Sequence, residues 1–485
     1  MSFPASRLQR FLHESASILR LGIPVIAANL LMILMTFTDT VMAGQISPTH
    51  LAALAIATSL WHPVLLFAHG ILTTIVPIVA QLNGEGKNEP IGEYVLQGFW
   101  LSAVLCVPAI LILHNLEPVM NLIGYGSEVI RISDGYLKAI STALPGILLY
   151  SVLQHFNEGI ALMRPNMYFH IVGLGLNILG NYAFMFGHFG FSAMGAVGAG
   201  WASSLVWNSM AVVMLVFCLR AQRFRKYHLL ERFQWPSISH LREILRIGLP
   251  SGFATMAETG LFATVALMVG VLGVTSMAAH SVAVNIASIS FMIPWGLSTA
   301  ITTRVGFAIG RGEPEKARRI GFFGVLLCGI VMFGTAIVMV SIPETLIGIY
   351  TDDPAVTAVA VQLLFMAALF QLSDGLQVGA LGALRGLKDT RVPMLVNLLS
   401  YSILGLPIAY LLGFQWGYGV IGLWTGMIVG LTVAAILHNT RFHQLTQRMN
   451  APLATPNPLP SAERDSTAGA MRTVNEDVIT ERFSS

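Results

Sequence analysis

Asp39, Glu258 and Asp374 stand where carboxylates are expensive. Of the 24 acidic residues in this 485-residue chain, nearly all fall in polar stretches or at the ends of apolar ones, whereas these three lie well inside long apolar runs. A carboxylate at the centre of an isolated membrane helix costs roughly 2.5 to 3.5 kcal/mol on insertion scales, so three cost on the order of 8 to 10 kcal/mol unless neutralised or hydrated. Such groups are expected to face a protein interior or a watery cavity, and to bind a cation or a proton. Phe370, Asp374 and Gln377, spaced by four and three, fall on one helical face, as do Asn177 and Asn181, four apart. The first set, with Glu258, makes a candidate cation site, and the second gives the other half of the chain a polar stripe. Carboxylate, amide and backbone oxygens suit Na+, a hard cation, by the logic that applies to Ca2+ and Mg2+; a carboxyl that takes up a proton instead would be a proton carrier. The competing structural role is helix-to-helix cement through buried hydrogen bonds, which intramembrane amides in particular often supply.

The elements that must position these groups follow from composition. The chain is 55% hydrophobic and 11% charged, with a mean hydropathy of +0.70, which belongs in lipid. Runs able to cross about 30 Å of hydrocarbon as helices have cores near 20–43, 53–80, 94–114, 137–158, 166–186, 195–219, 247–272, 277–303, 319–342, 355–383, 394–414 and 419–438, which makes twelve spans. Arginine and lysine gather in alternate connections: before the first span, and after the second, fourth, sixth, eighth, tenth and twelfth. The opposite connections hold almost none apart from Arg131 and Lys138, so both termini are expected in the cytoplasm of a bacterial cell, with the protein in its inner membrane. The net charge of +3 then implies contact with anionic membrane lipid and no nucleic acid. Cys106, Cys218 and Cys328 lie in apolar runs without metal or disulfide spacing, and His62, His69, His155 and His280 lack zinc-ligand spacing, so these are read as packing residues. No cofactor is implied. Residues 450–485, rich in Pro, Ser, Thr, Ala and Glu, are expected to be a disordered cytoplasmic tail.

The chain is duplicated. ILRLGIP at 18–24 recurs as ILRIGLP at 244–250, placing Pro24 and Pro250 226 residues apart; Ala80 matches Ala308 and Pro165 matches Pro393 at 228, and Gly195 matches Gly419 at 224. One copy is therefore six spans. An even number of crossings makes both copies enter the membrane from the same side, related by an axis along its normal, with a cavity between two bundles that can open to either side in turn. The expected layout is an N-terminal lobe (1–219), a basic cytoplasmic connector (220–243) and a C-terminal lobe (244–449). Pro24 and Pro250, inside spans, mark possible bends.

FTDTVMAG (37–44), VPIVAQLNGEG (76–86), GLNILGNYAFMFG (175–187), MAAHSVAVN (277–285) and FQLSDGLQVGALGALRGLKDT (370–390) together resemble the multidrug and toxic compound extrusion (MATE) family in its NorM-type branch, from about residue 15 to about 445. The resemblance implies an all-α, V-shaped, two-lobe antiporter of twelve helices, acting as a monomer, that exports cationic and amphipathic drugs, dyes and fluoroquinolones against Na+ or H+. By the same resemblance Asp39 takes part in drug or proton binding in the N-terminal lobe beside Asn177 and Asn181. Glu258 and Asp374 form the C-terminal cation site, with Na+ as one candidate, and Asp352 and Asp353 contact drugs. Two positions depart from the family pattern: Phe370 where Tyr is frequent, and Ser281 where Gln is frequent, removing a hydroxyl and an amide from the expected site.

Rival functions make different demands. A lipid-intermediate flippase of related architecture would line its cavity with basic residues for pyrophosphate, and no intramembrane Lys or Arg cluster is visible. An intramembrane enzyme needs a nucleophile or a metal set such as H-E-x-x-H, and a channel of the potassium type needs a TVGYG-like filter; neither is present.

Overall fold

The computed structural model describes residues 7–230 and 234–450; the expected tail beyond 450 lies outside them, as does Arg232 of the connector. Hydrocarbon offers backbone groups no hydrogen-bond partner, so an apolar run of some 20 residues satisfies its own N–H and C=O groups by becoming a helix. Among the described residues the spans are α1 (Arg7–Ile46), α2 (Pro48–Glu85), α3 (Asn88–His114), α4 in two pieces (Ser127–Ser141 and Leu144–Gly159) bent by 46°, α5 (Arg164–Phe184) and α6 (Ala196–Arg220). The second copy repeats them as α7 (Ile238–Val271), α8 (Val274–Gly310), α9 (Pro314–Ser341), α10 (Pro354–Gly386), α11 (Arg391–Gln415) and α12 (Gly419–Asn450).

Ten of these are long and apolar enough to cross a membrane by themselves, and the bent α4 is an eleventh. The twelfth, α5, has 21 residues, and its apolarity is diluted by Asn166, His170, Asn177 and Asn181, all buried against neighbouring helices and away from lipid. Several helices overrun the expected cores. The 40 residues of α1 rise about 60 Å at 1.5 Å each, and α7 starts at Ile238, inside the stretch expected to be connector. Just ahead of α7, residues 234–237 are tied to α3, whose Trp100 Nε1 donates to the Gln234 carbonyl (3.1 Å) and whose Gln97 accepts from the Ser237 N–H (2.8 Å).

Apolar side chains pack into two separate cores. One runs from Met35 to Ile247 and includes Trp61, Tyr150 and Phe156; the other runs from Leu261 to Ala434 and includes Phe370, Tyr401 and Trp424. The halves meet along helices made equivalent by the duplication: α1 on α8, α2 on α7, and the end of α2 on the end of α8. Glycine permits the approach. A Cβ on Gly70 would lie 2.9 Å from the Gly252 Cα, and one on its counterpart Gly296 would lie 2.8 Å from the Ile26 nitrogen. At the basic end, a Cβ on Gly84 would come within 2.3 Å of the Phe307 carbonyl oxygen, and one on Gly310 within 2.0 Å of that of Gln81. The same end is fastened by polar links. Glu14 of α1, 4% exposed, meets Arg304 of α8 at 2.5 Å and Arg319 of α9 at 3.4 Å. Thr303 Oγ1 donates to the Glu158 carbonyl at 3.0 Å, and Gln81 Nε2 to that of Gly386 at 2.9 Å.

Gly310→Val is expected to push α2 from α8 and destabilise the protein by about 1 to 3 kcal/mol, the usual cost of overpacking. Gly334→Ala, where a Cβ meets nothing within 4 Å, should be neutral. Thermal unfolding in detergent checks the pair: equal midpoints for the two variants would mean that the close crossing is not needed.

Candidate functional site

Between the two halves lies a cavity of about 440 Å3, walled chiefly by α1, α2 and α4 on one side and by α7, α8 and α10 on the other. Most of its wall is apolar or aromatic, with Phe262, Phe291, Trp295 and Trp424 on the C-terminal side. Glu258 of α7 and Asp374 of α10 both line it, so neither faces acyl chains. Asp374 is 1% exposed, while Glu258 is partly open to the cavity. They lie within electrostatic range of each other and of the Tyr401 hydroxyl.

Tyr401 owes its place to a local change of helix type. Pro407 has no N–H to donate, and just before it α11 widens to a π-turn over Leu398–Gly405, with the Leu406 N–H reaching back to the Tyr401 carbonyl. Asp374 Oδ2, both amide atoms of Gln377 and the Tyr401 hydroxyl are buried without a completed hydrogen bond, although Gln377 lies beside Tyr401. Each such orphan costs about 1 to 3 kcal/mol. A cluster of carboxylate, amide and phenol oxygens short of donors is a place for a cation or a proton. Phe370, on the same face of α10, contributes no oxygen ligand; its ring packs edge-on against Phe262 (5.9 Å) and Trp424 (6.5 Å). Trp424 in turn donates to His280 Nδ1 at 3.1 Å, and Ser281 spends its hydroxyl on the Met277 carbonyl.

The N-terminal polar stripe forms a second cluster, set apart from the residues that line the cavity. Asn181 Nδ2 donates to Asp39 Oδ1 at 2.6 Å, Ser203 Oγ donates to Oδ2 at 3.4 Å, and Asn177 Nδ2 donates to Ser203 Oγ at 3.2 Å. Asp39, Asn177 and Asn181 are therefore brought together, with Ser203 of α6 added. Asp352 and Asp353 sit elsewhere, exposed ahead of α10, where Asp353 Oδ1 caps the helix by accepting from the Ala355 N–H at 2.8 Å.

Two polar groups in the cavity wall, Glu158 and Arg385, were not picked out by the sequence reading. Glu158, 2% exposed, accepts from Gln154 Nε2 at 2.8 Å and pairs with His155 Nδ1 at 2.9 Å, and His155 is itself packed at 3% exposure. Their i,i+3 spacing at the end of the fourth apolar run was the available signal. Arg385, grouped by sequence with the loop after the tenth span, belongs to the last turn of α10; its guanidinium lies over Trp295 at 5.4 Å and lines the cavity. One arginine facing several carboxylates is not the basic lining that pyrophosphate would require.

The MatE family model matches the chain twice, over residues 24–183 and 250–411, the two copies falling on the two halves. The multidrug resistance protein MdtK of Yersinia pseudotuberculosis serotype O:1b (strain IP 31758) is 38% identical over 449 residues, covering 92% of this chain and 98% of that protein. Among solved structures, a eukaryotic MATE transporter superposes with a TM-score of 0.84 at 22% identity, covering 91% of this chain and 99% of its own. A multidrug resistance MATE family transporter of the MOP superfamily, in an outward-facing conformation, gives 0.82 at 19%, covering 93% and 100%. With its duplicated six-helix plan matched copy for copy and a relative aligned over nearly its whole length, this chain belongs to the MATE family of membrane transporters.

Proposed function

We propose that the chain is a cation-coupled multidrug antiporter, exporting organic cations, dyes and fluoroquinolone-like drugs in exchange for Na+ or H+ by alternating access. The observation that carries this is the oxygen-rich group around Glu258 and Asp374, short of hydrogen-bond partners and opening on a cavity otherwise walled by apolar and aromatic side chains. The aromatic wall suits the flat body of an organic cation, for which a desolvated cation–π contact contributes up to about 2 kcal/mol. The name of the Yersinia relative, a multidrug resistance protein, points the same way.

In this scheme the coupling cation enters at Glu258 and Asp374, with Gln377 and Tyr401 completing its shell and Phe370 walling it from the drug. Asp39, Asn177 and Asn181 form the drug or proton site of the N-terminal lobe, and Asp352 and Asp353 meet the drug as it leaves. The lobes, 1–219 and 244–449, rock about the connector at 220–243. Cation and drug weaken each other's binding by the same factor, as linkage requires. One monovalent ion exchanged for one monovalent drug moves no net charge, so only the ion's chemical gradient drives export; a second imported ion would add about 2.3 kcal/mol per 100 mV. The basic end, with Glu14 held by Arg304 and Arg319, is the cytoplasmic closure.

In reconstituted vesicles, drug efflux should depend on an imposed Na+ or pH gradient, and efflux unchanged with neither would end the exchange model. Asp374→Asn and Glu258→Gln are expected to leave the protein inserted and folded while lowering export at least tenfold; loss of folding in place of transport would return both acids to a structural role. Asp39→Asn should likewise reduce resistance in cells, and normal resistance would remove Asp39 from the site. Glu14→Gln leaves two arginines facing a lost charge, and should open the cytoplasmic closure. A Thr303→Cys reporter, at a position 1% exposed, should then react with a membrane-impermeant maleimide applied from that side, where the same reporter with Glu14 intact stays protected; protection in both would mean the ion pair is no latch.

A further inference from the structure

A second hollow, of about 890 Å3, lies at the basic end of the molecule, between the start of α1, the α4–α5 turn and the end of α6. Its volume is in the range of small-molecule pockets, and it is separate from the central cavity, with which it shares no lining residue. Its polar lining is dominated by arginine: Arg20 in the first half of α1, Arg164 at the first residue of α5, Arg223 just past the end of α6, and Arg304 near the end of α8. Among the described residues no acidic side chain lines it. Helices alternate in direction, so the starts of α1 and α5 and the ends of α6 and α8 fall on one membrane face, and the four arginines line one hollow there.

Arg304 is engaged by Glu14, whereas Arg20, Arg164 and Arg223 have no ion pair among the described residues and are exposed. Three uncompensated cations drawn together repel one another unless an anion joins them. The rest of the lining is of another character. Leu21, Leu162, Phe169 and Phe217 line it with Tyr168, a residue 58% exposed on α5. Arginine forks are matched to phosphate oxygens, and a basic pocket between spanning helices with an apolar floor fits a lipid whose head is a phosphodiester and whose tail lies along the helices. A soluble phosphate would have no use for the Leu, Phe and Tyr wall.

We propose that this groove is a binding site for one anionic phospholipid, its phosphate held by Arg20, Arg164 and Arg223 and its acyl chain laid against Tyr168 and Phe217. The site joins α1, α5 and α6 at the end where the two halves close. Native mass spectrometry of the full chain in detergent, titrated with phosphatidylglycerol, cardiolipin or phosphatidylcholine, tests it. The expected result is one tightly retained anionic lipid per chain, with phosphatidylcholine retained no better than background. Each arginine contributes about a fivefold factor, so the triple variant Arg20→Gln/Arg164→Gln/Arg223→Gln should lose retention on the order of 100-fold. The triple Arg→Lys variant, keeping the charges, should retain most of it and guards against a folding defect in the first. Undiminished lipid retention by the Gln variant, equal retention of phosphatidylcholine, or displacement of the lipid by millimolar inorganic phosphate would each overturn the assignment, the last in favour of a soluble anion.

Discussion

Water is absent from the hydrocarbon core of a membrane, and a carboxylate there has to be matched by the protein or by something the protein binds. The molecule uses both solutions, and the difference sorts its acids. Glu14 is held by two arginines, Glu158 by His155 and Gln154, and Asp39 by Asn181 and Ser203. Asp374 is buried as deeply, yet one of its oxygens has no partner, and Gln377 beside it has none for either amide atom. Glu158 and Asp374 both line the central cavity, and of the two it is Asp374 that is left unmatched. A binding site for a small cation is in physical terms a deficit of this kind, kept open by the packing around it.

Duplication supplies that packing. Most of each half's apolar side chains fall in its own core, although the first core also takes in Ile244 and Ile247 at the start of α7. What joins them is different in kind: backbone crossings at Gly70, Gly84, Gly296 and Gly310, together with an ion pair and side-chain bonds to carbonyls at the basic end. Contacts between backbones at glycine interlock fewer side chains than a core does, although Phe67 and Phe253 pack across α2 and α7, and polar links can be exchanged for water. Such a seam can part with less disruption than a core, as the proposed alternating exposure of the central cavity requires.

The local devices around the site follow the same economy of means. Pro407 costs α11 a hydrogen bond, and the helix re-registers into the π-turn that carries Tyr401 toward Glu258 and Asp374. Phe370, where a hydroxyl was absent by sequence, completes an aromatic wall with Phe262 and Trp424. Arg385 brings one fixed positive charge into a cavity of carboxylates, stacked over Trp295. Its neighbour-dependent role could not be assigned while it looked like one more basic residue at the end of a span.

Much was legible without coordinates because lipid imposes its rules one segment at a time. Spans follow from runs of apolar residues, the duplication from matching landmarks 224 to 228 residues apart, and the importance of Glu258, Asp374 and Asp39 from the cost of placing any carboxylate in such a run. Even the grouping of Asp374 with Gln377, and of Asn177 with Asn181, needed only the period of a helix. Which groups are matched and which are left wanting is a property of contacts between helices far apart in the chain. Only the tertiary structure set Asn181 on Asp39, Arg304 on Glu14, Tyr401 near Asp374 and Arg385 in the cavity, since each pairing joins residues at least 27 positions apart or depends on which way a helix end turns. Sequence period decides which residues share a face; the packing of helices decides what that face meets.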